Sequence, residues 1–218
     1  GIGKTTFVRM LAGLEKPDEG EAPYVQGLST SYKPQYISAD YEGSVLELLK
    51  DVAGEVVHTE NFLTQLVGPL GLSKFLDRGI RNLSGGELQR VAIASCLAKD
   101  AQLYLIDEPS AYLDVEERLA VSKAIRRVVE ERQAFAFVVE HDIAAQDFVA
   151  DRLMIFEGNP GVKGAARSPV TLREGMNNFL AAMGVTFRRD PANGRPRVNK
   201  PRSKVDRMQR ERGEYYYA

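Results

Sequence analysis

Leu83-Ser84-Gly85-Gly86-Glu87-Leu88-Gln89-Arg90-Val91-Ala92-Ile93-Ala94-Ser95-Cys96-Leu97, followed a few residues on by Leu103-Tyr104-Leu105-Ile106-Asp107-Glu108-Pro109, decides the fold class. Ser84 is a favourable N-cap, because its hydroxyl can accept a free N–H of the first helical turn. Behind it Leu88, Val91, Ala92, Ile93, Ala94 and Leu97 make an apolar helix. Leu103 to Ile106 then give a short apolar run that ends in acid. A strand with no polar face must be covered on both sides, so helix and strand together read as α/β with a parallel sheet core.

Outward from that stretch the pattern repeats. Phe135 to Val139 is a second apolar strand and Arg152 to Phe156 a third, with a helix over Val115 to Glu131 between the first two. Upstream, Phe7, Val8, Met10 and Leu11 have helical spacing, and Gly13 with Pro17 beyond it marks the helix end. Ser31 to Pro34 is the best strand of a turn-rich segment. Ser44 caps an amphipathic helix (Val45, Leu46, Leu48, Leu49, Val52), and Asn61 to Leu70 and Ser73 to Leu76 continue in helical style. Residues 40–100 are therefore expected to form a helical lobe. A last helix is expected over Thr171 to Met183. After it comes an irregular basic stretch punctuated by Pro191, Pro196 and Pro201.

Composition excludes several classes. The longest apolar run, Ala134 to Val139, is six residues, against roughly 20 for a membrane span. Cys96 is the one cysteine, so this chain alone makes no disulfide framework, and the expectation is an intracellular, reducing setting. The net charge of −1 conceals an asymmetry. Residues 188–218 hold ten Lys/Arg against four Asp/Glu, while the remaining 187 residues are net acidic. A basic tail on an acidic body fits an anionic partner surface, RNA first, or docking on the body itself. The opening residues read as the middle of a motif, so the chain is expected to be a fragment.

Three motifs carry chemistry. Gly3-Lys4-Thr5, with Gly1 ahead of it and Thr6 behind, is the second half of a phosphate-binding loop. Backbone N–H groups at a helix N-terminus would face phosphate oxygens, Lys4 would reach the β- and γ-phosphates, and the Thr5 hydroxyl would ligate Mg²⁺. The alternative is a glycine-rich turn with a solvated lysine. Asp107 ends an apolar strand, where its carboxylate can hold Mg²⁺ through water, and Glu108 can polarise an attacking water. The alternative is a charged strand edge. Ser84, Gly85 and Gly86 offer bare backbone at a helix start, either for a phosphate or as a capped junction with no ligand.

In this order the motifs resemble the ATP-binding-cassette ATPases. The resemblance rests on Gly3-Lys4-Thr5, Gln35 in Tyr32-Lys33-Pro34-Gln35, Leu83 to Glu87, Leu105 to Pro109, Asp114 in Ser110-Ala111-Tyr112-Leu113-Asp114, and His141 after Val139-Glu140. It implies that Gln35 touches Mg²⁺ or the attacking water and that His141 senses the γ-phosphate. The later segments Phe187-Arg188-Arg189-Asp190-Pro191 and Arg195 to Lys200, with Tyr215-Tyr216-Tyr217, resemble the ABCE group, the RNase L inhibitor family of ribosome-recycling ATPases.

That resemblance implies a second nucleotide-binding domain over 1–160, lacking its first strand or strands, and a C-terminal hinge region over 161–218. The missing strand is expected beside Leu103 to Asp107, leaving an edge unpaired, so the isolated chain is expected to fold and bind ATP poorly. The resemblance further implies ATP and Mg²⁺ as ligands, with no iron–sulfur cluster in this part. Implied partners are the first nucleotide-binding domain of the same polypeptide, the small ribosomal subunit with its rRNA, and a release factor or its relative. The setting would be cytoplasmic, with no membrane. Ser84 and Gly86 would complete the other cassette's ATP site, and Gly85 and Asp114, the latter at the D-loop position, would also bind nucleotide. The alternative reading is the ATPase subunit of a membrane transporter, which the text after Phe156 disfavours.

Overall fold

The computed structural model describes residues 2–20, 27–35, 39–190 and 196–217. The chain divides into two compact units, one from Lys4 to Val149 and one from Ala150 onward together with the residues before Lys4.

The first unit contains α1 (Lys4–Leu11), β1 (Thr30–Lys33), α2 (Val45–Ala53), α3 (Glu60–Phe62), α4 (Gly85–Ala98), β2 (Leu103–Asp107), α5 (Val115–Glu131), β3 (Phe135–Val139) and α6 (Ile143–Val149). Its sheet is parallel, in the order β1-β2-β3. All five residues of β2 are buried, and its alternation sorts two faces. Leu103 and Leu105 pack with Val8 of α1 and Val139. Tyr104 and Ile106 point the other way, into a core built with Val91, Ile93, Leu97, Val121, Ile125 and Val128. An apolar strand between two helical layers is what the sequence required.

The helical lobe is present but broken. Ser44 and Glu47 form a capping box on α2. Beyond it the chain proceeds through short turns of 3₁₀ and π helix at Gly54–His58, Leu63–Val67, Leu72–Lys74 and Ile80–Asn82. Glycines at positions 54, 68, 71 and 79 interrupt any longer helix. Val45, Leu49, Phe62, Leu66 and Leu70 share one core with α4 and α5, so the lobe is continuous with the body.

Two expectations are corrected. Strand β2 is flanked on both sides, so the anticipated gap beside Leu103 to Asp107 does not exist. The uncovered apolar surface lies on the edge strand β3, where Phe135 is 69% exposed. The third apolar run does not join the parallel sheet: it supplies β4 (Arg152–Leu153) and the start of β5 (Phe156–Asn159) in the second unit. Its residues pair locally instead, Leu153 with Val170 and Phe156 with Ala166, both antiparallel.

In that second unit β5 forms a hairpin with β6 (Lys163–Ala166), and β4 pairs antiparallel with β7 (Val170–Thr171). Thr171 caps α7 (Leu172–Ala182). The basic stretch was expected to be irregular, but its described residues form regular elements. β8 (Phe187–Arg189) lies between β9 (Pro196–Val198) and β10 (Tyr216–Tyr217), with α8 (Lys204–Glu211) connecting. Its apolar component is small: Met176 and Leu180 are buried, and the Phe187 and Tyr216 rings stack at 5.6 Å. A buried polar network carries the rest. Thr186 Oγ1 donates to Asp206 Oδ1 (2.6 Å), the Arg202 N–H donates to Asp206 Oδ2 (2.7 Å), and Gln209 Nε2 donates to the Phe187 carbonyl (3.0 Å). Composition alone does not reveal such a network, because each member reads as an exposed polar residue.

Candidate active site

The carboxyl ends of β2 and β3 meet the start of α1. Gly3 carries φ of +94° just before Lys4 opens the helix, a conformation an L side chain rarely adopts. Gly1 lies outside the described residues. Lys4 and Thr5 are half-buried and Thr6 is exposed, and α1 packs on both β2 and β3.

Asp107 is fully buried, and neither carboxylate oxygen has a hydrogen-bond partner. Burial pushes its carboxyl up, and the neighbouring Thr5 hydroxyl opposes that rise. A buried, unpartnered carboxylate beside a hydroxyl is costly unless a cation satisfies it. Hard oxygen donors of this kind suit Mg²⁺, and Gln35 stands next to them through Glu108.

Glu108 is the centre of the cluster. Its Oε2 accepts from Gln35 Nε2 at 2.9 Å, and His141 Nε2 lies 2.8 Å from Oε1. Its own N–H donates to the Val139 carbonyl (2.9 Å), which ties β2 to β3 where both strands end. The structure thus brings together Thr5, Gln35, Asp107, Glu108 and His141.

His141 is held from behind. Glu140 Oε1 accepts from the Ser110 hydroxyl (2.7 Å), from the His141 N–H (2.7 Å) and from the Asp142 N–H (3.0 Å). The loop carrying the histidine is thereby fixed to the loop that follows Pro109.

Ser84, Gly85 and Gly86 form a second group. Ser84 caps α4 in a reciprocal box with Glu87, whose carboxyl is held low by the Ser84 N–H. A Cβ on Gly86 would lie 2.9 Å from the Tyr112 carbonyl oxygen, so glycine there permits close approach of the 110–114 loop. Tyr112 has φ of +63° and is 72% exposed. Asp114 caps α5 through the Glu117 N–H (2.8 Å). Among the described residues no hydrogen bond joins this group to the Glu108 carboxylate directly.

Sequence reasoning missed three residues here: Lys33, Gln89 and Glu140. Gln89 had a signal, since Gln89-Arg90 follows Leu83 to Glu87 in the motif. Lys33 had one in retrospect, as a lone lysine in a short strand. Glu140 had none, because a carboxylate next to a histidine reads as surface.

A P-loop-like helix start, an acid pair at a strand end, and a capped glycine pair opposite a second loop together define an ATP-binding cassette. The family model described as "ABC transporter" matches residues 1–111, and the chain belongs to that family. Over its whole length it is homologous to the ABCE group. It is 56% identical over 217 residues to an uncharacterized ABC transporter ATP-binding protein of Methanocaldococcus jannaschii, covering all of this chain and 36% of that protein. It is 45% identical to translation initiation factor RLI1 of Saccharomyces cerevisiae, covering all of this chain and 35% of that protein. It superposes at TM-score 0.94 and 58% identity on the archaeal ribosome recycling factor aABCE1, solved in complex with the archaeal ribosomal stalk protein aP1, covering all of this chain and 42% of that one. The chain thus spans about a third of the curated relatives it matches. No described helix is long and apolar enough to cross a membrane.

Proposed function

We propose that this chain is the second nucleotide-binding domain and C-terminal hinge of an ABCE-type ATPase, which couples ATP binding and hydrolysis to the splitting of ribosomal subunits. The observation that carries the ATPase reading is the Glu108 carboxylate held between Gln35 and His141 beside the unpartnered Asp107. The ribosomal reading is supported by likeness, over the whole of this chain and 42% of the other, to an archaeal ribosome recycling factor.

In this mechanism Lys4 and the amides after Gly3 bind the β- and γ-phosphates. Asp107, Thr5 and Gln35 would hold Mg²⁺, which when bound would neutralise charge developing on the phosphate oxygens. Glu108 orients a water and accepts its proton as the water oxygen attacks the γ-phosphorus and ADP leaves. His141 faces the γ-phosphate. Because Gln35 and His141 hold Glu108 here, both must release it in part when nucleotide arrives. Ser84, Gly85 and Gly86 contact the γ-phosphate of ATP bound by the other cassette of the same polypeptide, with Asp114 at the same interface. ATP then drives closure by its differential affinity for the closed pair.

The partners proposed are the first nucleotide-binding domain, the small ribosomal subunit and its rRNA, and a release factor or its relative, in the cytoplasm. Co-sedimentation of the full-length protein with small ribosomal subunits tests the role. Pelleting that depends on a non-hydrolysable ATP analogue is expected. Intact ATPase activity with no pelleting would move the assignment to another cassette role, such as the ATPase of a transporter.

A further inference from the structure

We propose that Gln89 and Lys33 are positioning residues for Glu108: together they hold its backbone in the conformation that aims the carboxylate at the site. The proposal rests on Glu108 being the water-polarising base.

Glu108 has φ of +48°, in the left-handed region, and Pro109 follows it. A non-glycine residue there is strained and persists only when its surroundings over-determine it. Four contacts do so. Lys33 Nζ donates to the Asp107 carbonyl at 2.7 Å and approaches the Glu108 carbonyl at 3.5 Å. Gln89 Nε2 donates to the Glu108 carbonyl at 2.7 Å and to the Pro109 carbonyl at 3.0 Å. Three consecutive carbonyls, at positions 107 to 109, therefore converge on two side-chain nitrogens. Left without donors in a buried setting, such carbonyls are costly, and the peptides would rotate to find other partners.

Both donors are themselves buried at some cost. Lys33 is 1% exposed and Gln89 fully buried, and Gln89 Oε1 has no partner. Burial brings the Lys33 amine down to about 8. A leucine or methionine would fill either slot without these penalties, so packing does not explain the choice.

Gln89 also stands on α4, little more than one turn from Ser84 and Gly86. The helix start that faces the other cassette's nucleotide is thus one side chain away from the backbone of this site's base. A shift of α4 is transmitted to Glu108 through Gln89, while Lys33 anchors the same peptides from β1.

The test uses the full-length protein with the other cassette's corresponding glutamate changed to Gln, and the variants Gln89→Met, Gln89→Glu and Lys33→Met. Binding of a fluorescent ATP analogue is expected to stay within about two-fold, and single-turnover hydrolysis to fall at least about ten-fold, with KM unchanged. Gln89→Glu keeps the shape but has only acceptors when ionised, so it should be no better than Gln89→Met; a space-filling role predicts that Gln89→Met, which fills the slot without a buried charge, is tolerated. In a Glu108→Gln background Gln89→Met should lower the residual rate no further, since both act through one group. Hydrogen exchange of peptides spanning 107–113 should accelerate in each variant. In the unaltered protein the Glu108 amide must already be protected, and free exchange there overturns the proposal without any variant.

If Glu108→Gln abolishes turnover while Gln89→Met and Lys33→Met hydrolyse normally, the proposal is wrong and the assignment of Glu108 stands. Loss of nucleotide affinity in step with rate also overturns it, as a merely structural effect. Normal turnover by Glu108→Gln removes the base itself and the proposal with it.

Discussion

Glu108 and Gly86 show how single positions are decided by what surrounds them. Replacing Glu108 with Gln in the full-length protein removes the proton acceptor but not the side chain's shape, so nucleotide affinity should persist. Hydrolysis at this site should fall by about 10²–10⁴-fold, the usual contribution of general base catalysis; single-turnover assays read this directly. His141→Ala should weaken response to the γ-phosphate and lower the rate, and an unchanged rate would exclude the switch role. The glycine pair gives a sharper contrast. Alanine is favoured over glycine inside a helix by about 1 kcal/mol. At Gly85 a Cβ would meet the Tyr112 ring at 3.6 Å, an ordinary contact, but at Gly86 it would meet the Tyr112 carbonyl at 2.9 Å. Overpacking against backbone costs about 1–3 kcal/mol. Gly85→Ala should therefore hold or raise the melting temperature, and Gly86→Ala should lower it.

At the scale of elements, the helix starts were legible and the turns that break up the lobe were not. Ser44, Ser84 and Asp114 all cap helices with a glutamate three residues on, a local pattern that the chain carries in plain view. The lobe's short 3₁₀ and π turns were invisible because apolar spacing cannot tell one tight turn from another. Asp114 has two roles to separate, capping α5 and lying in the loop proposed to face the other cassette. Asn caps as well as Asp, and Ala costs about 1 kcal/mol, worth about 2–4 °C in a domain of this size. Asp114→Asn should keep the melting temperature while Asp114→Ala lowers it. A fall in hydrolysis common to both variants would then isolate the charge at the interface from the cap.

At the scale of the whole molecule, the two units are stabilised by different means. The unit from Lys4 to Val149 rests on a large apolar core. The unit from Ala150 onward relies on the polar network centred on Asp206, whose carboxyl is held below the usual range chiefly by the Thr186 hydroxyl and the Arg202 N–H. A carboxyl lowered by folding stabilises above its unfolded value, about 3.9, and that contribution is lost as pH falls through the folded value. Acidification from pH 5 to well below 4 should therefore loosen residues 186–190 and 196–217. Hydrogen exchange across that range would show it, and Asp206→Asn should remove most of the pH dependence. Exchange that stays equally slow at both ends would show that the network is not what holds this unit.

By itself the sequence determined that the chain is an α/β cassette with a parallel sheet, that α4 begins at a Ser84 cap, and that Gly3 to Thr5, Gln35, Asp107, Glu108 and His141 were the residues to follow. The cap, the apolar period and the acid after an apolar run are local, each visible within a few residues, whereas Gln35 and His141 stood out only through the family resemblance of the motifs taken in order. Tertiary structure alone decided which neighbours they meet. It placed β2 between two partners, moved the Arg152–Phe156 run out of the sheet, and turned the basic stretch into a small sheet held by Asp206. It also put Lys33 and Gln89 beneath Glu108. Lys33 and Glu108 lie 75 residues apart in the chain, and a bond between a side chain and a distant carbonyl leaves no mark on either residue's own neighbourhood.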